Sequence, residues 1–126
     1  MLKQTKVTLN PALSGSRRTV KLFFDHLRQD ISNLAYPWTV KEMANQCGLG
    51  VTYFVHHCKQ LTNTTPAQYL NQLRIEAAVQ MLTEEPEKKI IDIALDCGFN
   101  TSQYFATVFQ KVKGCSPKDF RSHEEI

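Results

Sequence analysis

Residues 93–105 read Ile93-Ala94-Leu95-Asp96-Cys97-Gly98-Phe99-Asn100-Thr101-Ser102-Gln103-Tyr104-Phe105. Fifty residues earlier stands a partial copy, in which Met43, Ala44, Cys47, Gly48 and Leu49 match Ile93, Ala94, Cys97, Gly98 and Phe99. One residue is then inserted. At a spacing of fifty-one, Tyr53-Phe54 matches Tyr104-Phe105, Asn63 matches Gly114, and Thr65-Pro66 with Tyr69 matches Ser116-Pro117 with Phe120. Each copy therefore reads as a short helix, a Gly turn, a longer helix, a left-handed stop and a capped restart. A small Ala three residues before Cys lets the second helix come close. The Gly permits a sharp turn, and Leu49 or Phe99 after it fills the space between the helices.

Those are the requirements of a helix-turn-helix, which presents its second helix outward. One copy alone reads equally well as an ordinary helical hairpin. Two copies joined by a helix in so short a chain make the paired reading the stronger one.

Working outward, Val20, Phe23, Phe24, Leu27, Ile31 and Leu34 step by threes and fours, one face of a helix that starts near Ser16 and stops at Pro37. Arg17, Arg18, Lys21 and Arg28 lie on its other faces. Tyr36 and Trp38 are read as a staple for the next helix. Thr39 to Glu42 is a capping box. Helices are expected over about 40–47, 51–61, 66–83, 89–97 and 101–112, with a final turn from Pro117 to Phe120; Asn100 is the expected cap of the fifth of these. No stretch alternates at period two. The expected fold is all-α, with seven helices forming two helix-turn-helix subdomains joined by a linker helix. The expected organisation is a tail or linker at 1–15, a first subdomain at 16–65, the linker helix at 66–83, a second subdomain at 84–122 and a C-terminal tail at 123–126.

The 126 residues suit one domain or two very small ones sharing a core. Apolar residues at 42% and charged residues at 21% argue against wholesale disorder. The net charge of +3 is unevenly placed: residues 1–61 carry eight Lys/Arg against three Asp/Glu, and residues 62–126 carry seven against nine. A basic half points mildly to phosphate or another anionic surface. No apolar run reaches the roughly 18 residues needed to cross a bilayer, and the first sixteen residues hold no secretion signal. The cysteines at 47, 58, 97 and 115 include no Cys-x-x-Cys pair and read as reduced cytosolic thiols, with no metal or cofactor expected. His56 and His57 diverge by about 100° on a helix, so they do not share an ion.

The stretch Gly98-Phe99-Asn100 through Tyr104-Phe105 and Phe109, then Gly114-x-Ser116-Pro117-x-x-Phe120-Arg121, resembles the signature of the AraC/XylS family of bacterial transcription regulators. Upstream, Tyr69-Leu70-Asn71-x-x-Arg74-Ile75-Glu76-x-Ala78 with Met81-Leu82 resembles the helix that joins that family's two helix-turn-helix units. The resemblance spans residues 17 to 121. It implies a cytoplasmic DNA-binding domain of seven helices whose two recognition helices enter successive major grooves of promoter DNA, and activation through contact with RNA polymerase. Many members carry a separate effector-sensing domain, for which this chain has no room; the tail-like residues 1–15 favour a piece of a longer protein over a small stand-alone regulator.

Periodicity divides the two recognition helices. In the first, Phe54, His57, Cys58 and Leu61 fall inward; in the second, Phe105, Val108, Phe109 and Val112 do. The resemblance puts Thr52, Val55 and His56 where base edges are read in the family. Thr52 can donate or accept, and a methyl of Thr52 or Val55 can meet a thymine methyl. In the second helix Gln103 is the foremost candidate, because its amide can pair with adenine in two bonds; Ser102 and Thr107 follow. Arg17, Arg18, Lys59, Thr101, Lys111, Lys113 and Arg121 are candidate phosphate contacts. Three departures from the family pattern stand out: Gly50 where a capping Ser is common, His56 where Arg is common, and Cys58 in place of a large aromatic. Arg74 and Glu76 read as a structural pair on the linker helix, with positioning of one unit relative to the other as the alternative. The alternative reading is a helical protein-interaction module that keeps the scaffold without DNA specificity. An enzyme is not expected, since no Ser/His/Asp set, Gly-rich phosphate loop or metal cluster is present.

Overall fold

The computed structural model describes the backbone of residues 13–124 and the side chains of residues 15–123. The described residues form eight helices and no strands: α1 (Leu13–Arg28), α2 (Ile31–Ala35), α3 (Val40–Gln46), α4 (Val51–Thr62), α5 (Pro66–Glu84), α6 (Ile90–Asp96), α7 (Ser102–Lys113) and α8 (Pro117–Glu124). The all-α expectation holds. The count rises from seven because the first expected helix is two. Asp30 is extended (φ −149°, ψ 125°) and its carboxylate accepts from the Ser32 amide at 3.0 Å, which caps a new helix start. Helix α1 already begins at Leu13, inside the expected tail, and α8 runs on to Glu124, into the expected C-terminal tail. Residues 1–12 and 125–126 of those tails lie outside the described residues.

The helix ends follow local chemistry. The Thr39 hydroxyl accepts from the Glu42 amide at 3.1 Å while Glu42 accepts from the Thr39 amide at 3.0 Å. Thr65 and Gln68 make the same reciprocal pair, at 3.2 and 3.1 Å, just ahead of Pro66 at the first helical position. Ser116 caps α8 through the Asp119 amide at 3.0 Å. Helix α7 is capped by Thr101, which accepts from Tyr104 at 3.0 Å, and not by Asn100: the extended residue that can turn its side chain back onto the third amide is one position later. Asn63 (φ 62°) ends α4 in the left-handed conformation expected of it.

The described chain divides into two compact units. The first holds the residues up to Gln29 and Pro37–Tyr69; the second holds Asp30–Tyr36 and the residues from Leu70 on. Helix α5 thus serves the first unit up to Tyr69 and the second from Leu70.

In the first unit Val20, Phe24 and Leu27 of α1 are buried with Met43 and Ala44 of α3, Cys47, and Phe54 and Cys58 of α4. Phe24 packs on Phe54 with ring centroids 6.1 Å apart and meets Tyr69 edge-on at 4.8 Å. The Trp38 ring stands edge-on to Phe23 of α1, with centroids 5.3 Å apart.

In the second unit Ile75, Ala78 and Leu82 of α5 pack with Ile93 and Ala94 of α6, Cys97 and Phe99 of the turn, and Phe105, Val108 and Phe109 of α7. Phe99, Phe105, Phe109 and Phe120 form a run of rings with successive centroids 5.1, 5.6 and 5.7 Å apart. Truncating a buried Phe of this kind costs about 3–5 kcal/mol, so this run holds α7 rigidly on its scaffold.

Candidate nucleic-acid interface

Helices α4 and α7 are built alike. Each has twelve residues, and each buries the same three positions: Phe54, His57 and Cys58 in one, Phe105, Val108 and Phe109 in the other. With about 100° of rotation per residue, those positions define one face. The opposite face of α4 carries Thr52, His56 and Lys59, all exposed; that of α7 carries Gln103, Thr107 and Gln110, all exposed. The repeat offset relates the two rows residue for residue. Val55 and Ser102 are half-buried at the edges of these faces. Gln110 reads as outward from the sequence but is not among the base-contact candidates, although the same offset that pairs Thr52 with Gln103 pairs Lys59 with it.

Leu61 and Val112, expected inward, are 37% and 42% exposed. Each lies in the last turn of its helix, past the last buried position, and is only partly covered. Exposed Tyr53 and Tyr104 also share one repeat position. The Tyr104 hydroxyl accepts from the Asn71 amide at 3.1 Å.

Two candidates have their polar atoms partly committed. The Thr107 hydroxyl donates to the Gln103 carbonyl at 3.1 Å, so only its lone pairs face outward. The Thr101 hydroxyl is occupied as the α7 cap, which leaves its backbone and the helix N-terminus as the anion-facing groups. Gly50 makes no side-chain cap, as its lack of a side chain requires, so α4 starts with less support than α7.

The cations separate into three kinds. Arg18, Lys59, Lys111 and Lys113 are exposed, Lys113 with its ammonium 6.0 Å from the Phe120 ring centroid. Arg17 is half-buried, and its Nε is buried without a hydrogen-bond partner. Arg121 is spent on structure. Its Nη1 donates to the Lys88 carbonyl at 2.8 Å, its Nη2 to the Glu85 carbonyl at 3.1 Å, and its Nε to the Leu82 carbonyl at 3.5 Å. These carbonyls lie at and just beyond the C-terminal end of α5, where unpaired acceptors and the negative helix pole favour a cation. All three guanidinium nitrogens of Arg121 are thus committed within the fold.

His57 is buried, and its Nδ1 has no hydrogen-bond partner. Burial, then the Arg17 guanidinium and His56, push its pKa below the usual imidazole value, so it stays neutral. Cys97 is buried, and its thiol is pushed up to about 12, by burial first and by Asp96 second. Cys58 is raised by burial while the Thr62 hydroxyl acts the other way. Among the described residues no group of three or more His, Cys, Asp or Glu side chains is placed to hold a metal ion, and no helix is long and apolar enough to cross a membrane.

The expected Arg74–Glu76 pair is not formed. Glu76 is exposed, whereas the buried Arg74 donates from Nε to the Leu34 carbonyl at 2.8 Å and from Nη2 to the Tyr36 carbonyl at 2.7 Å. Positions two apart on a helix face different ways, and Arg74 turns toward α2.

Comparison with known proteins agrees with this geometry. The profile of a family described as a helix-turn-helix domain matches residues 43–123. The HTH-type transcriptional activator RhaR of Mannheimia succiniciproducens is 34% identical over 122 residues, covering 97% of this chain and 42% of that protein. This chain therefore spans less than half the length of that relative. Among solved structures, an AraC-type regulator from Chromobacterium violaceum superposes with a TM-score of 0.75 at 23% identity, covering 88% of this chain and 96% of that one. The DNA-binding domain of AdpA, solved with a target DNA, superposes with a TM-score of 0.74 at 20% identity, covering 82% and 90%. At that identity the two structures speak for the fold; the match over residues 43–123 places the chain in the helix-turn-helix family, as a domain of the AraC/XylS type.

Proposed function

We propose that this chain binds promoter DNA in a sequence-dependent way and regulates transcription in a bacterial cytoplasm, as an activator that contacts RNA polymerase. Helices α4 and α7 each enter a major groove, the two grooves being successive along the duplex. The observation that carries this reading is the matched pair of outward rows, Thr52-His56-Lys59 and Gln103-Thr107-Gln110, on helices whose inner faces are locked by Phe54 and Phe105. A buried Phe behind each helix fixes its rotation, so a polar row of constant register faces out. That is what base readout needs. The resemblance to a transcriptional activator, and to a domain solved on its target DNA, supports the same reading.

Thr52, Val55, His56, Ser102, Gln103 and Thr107 are the base-reading set, with Gln110 added. Arg17, Arg18, Lys59, Lys111 and Lys113, with the α7 N-terminus at Thr101, form the phosphate set. In the test, the chain is challenged with a pool of random duplexes, the bound fraction is sequenced, and affinity is measured against salt on the winning site. Binding falls steeply with salt while a base-dependent term survives. Gln103→Ala loses about 1–3 kcal/mol on the best site and relaxes one base position. An equal loss on every duplex removes Gln103 from the base-reading set. A pool that yields no preferred sequence at any salt overturns the function and leaves the protein-interaction reading.

A further inference from the structure

Helix α5 is not the sole covalent link between the two units. The chain passes into the second unit at Asp30, back into the first at Pro37, and into the second again at Leu70. The excursion Asp30–Tyr36 contains only the five-residue helix α2, whose one buried side chain is Leu34. A helix that short does not hold itself in water. Its C-terminal carbonyls are held instead by Arg74, through the bonds to Leu34 and Tyr36 given above. Their acceptors are the groups a helix end leaves unpaired, and the guanidinium supplies the positive charge that end favours. The other wall of the contact is Gly98: a Cβ there would stand 2.9 Å from the Ala35 Cα and 2.9 Å from the Arg74 Nε. Arg74 is thus buried with carbonyl partners, against a backbone shaped to admit it.

We propose that Arg74 is a positioning residue for DNA recognition: by fastening Asp30–Tyr36 into the second unit it takes the slack out of two of the three chain passages, and so sets how strictly the protein discriminates among spacings of its two half-sites. The inference rests on the two-groove reading above. Its physics is that of effective concentration. Two binding units on a taut connection meet a matched pair of half-sites at high local concentration and a mismatched pair at very low concentration; a slack connection lowers the first and raises the second. With the latch released, the seven residues 30–36 become connector.

The test uses the full chain and duplexes built from the selected site: both half-sites at the preferred spacing, the same with one or two base pairs inserted, and one half-site alone. Arg74→Met keeps the packed stem and removes the donors. A second variant inserts two glycines between Tyr36 and Pro37, which leaves the Arg74 bonds intact and slackens the passage directly. Both are expected to bind the single half-site as wild type does, to lose about tenfold at the preferred spacing, and to show a flattened dependence on spacing. A cooperatively melting Arg74→Met chain with the wild-type spacing profile overturns the proposal. So does an equal loss on every duplex including the single half-site, which marks Arg74 as merely structural. If Arg74→Met fails to fold, the glycine insertion decides alone: a flattened profile supports the latch and an unchanged one overturns it. A wild-type chain with no sequence preference instead overturns the DNA reading itself.

Discussion

Gly98 and Gly114 both have positive φ, at +99° and +83°, and they differ in what surrounds them. A Cβ on Gly114 meets nothing within 4 Å, so Gly114→Ala costs only backbone strain, about 1–2 kcal/mol. A Cβ on Gly98 carries the same strain and adds two contacts at 2.9 Å, one to a backbone atom, Ala35 Cα, and one to Arg74 Nε. The backbone contact cannot be relieved by turning a side chain; α2 has to shift, and the Arg74 bonds to Leu34 and Tyr36 stretch with it. A hydrogen bond to a charged group contributes about 1.5–3 kcal/mol. Partial loss of the pair brings the expected total for Gly98→Ala to about 3–5 kcal/mol, against about 1–2 kcal/mol at Gly114. Urea unfolding followed by far-ultraviolet circular dichroism measures both. The midpoint should fall much further for Gly98→Ala than for Gly114→Ala. Equal losses would mean that the positive φ alone requires glycine at 98, and that the close approach of Ala35 and Arg74 contributes nothing.

Three further outcomes follow from the same structure. Because the pKa of His57 is depressed in the folded state, the unfolded chain takes up its proton first as pH falls. Stability from this group is therefore complete above about pH 6.5 and declines as pH drops through that unfolded value toward the lower folded one; in urea titrations from pH 8 to pH 5 His57→Leu should flatten this decline, and an unchanged slope would clear His57 of the effect. Of the four thiols, Cys47, Cys58 and Cys97 are buried and Cys115 is partly exposed. Ellman's reagent on the native chain should show one fast thiol, abolished by Cys115→Ser and untouched by Cys97→Ser, and a fast phase that survives Cys115→Ser refutes the assignment. Arg121→Met should lower stability by about 2–4 kcal/mol through the loss of its bonds to three carbonyls, yet leave the salt slope of DNA binding unchanged; a slope reduced by about one would return Arg121 to the phosphate set.

The repeat made much of the candidate site legible. Pairing Thr52 with Gln103 needs only the offset of fifty-one and the period of a helix, both of which are local patterns. The same logic overstated the burial of Leu61 and Val112, where the period runs on past the last buried position; periodicity says which way a side chain points and not how fully it is covered. It gave no sign of the contacts that Arg121 and Arg74 make within the fold. Each arginine sits in a recognisable motif, from which Arg121 reads as a phosphate candidate and Arg74 as the partner of Glu76. Their real partners are carbonyl oxygens 33 to 40 positions away in sequence, and a carbonyl is the one group every residue carries, so no pattern of side chains announces it.

From sequence alone came the all-helical class, the tandem units, the caps at Thr39, Thr65 and Ser116, and the outward rows of α4 and α7. Each follows from hydrogen bonds and rotations spanning a few residues, and such interactions are written in neighbouring letters. Only the folded chain decided that residues 30–36 leave the first unit for the second, that Arg74 holds them there, and that Gly98 has to stay bare to let them in. Those outcomes depend on which surfaces remain unpaired after the local structure has formed, and that is settled by packing in three dimensions.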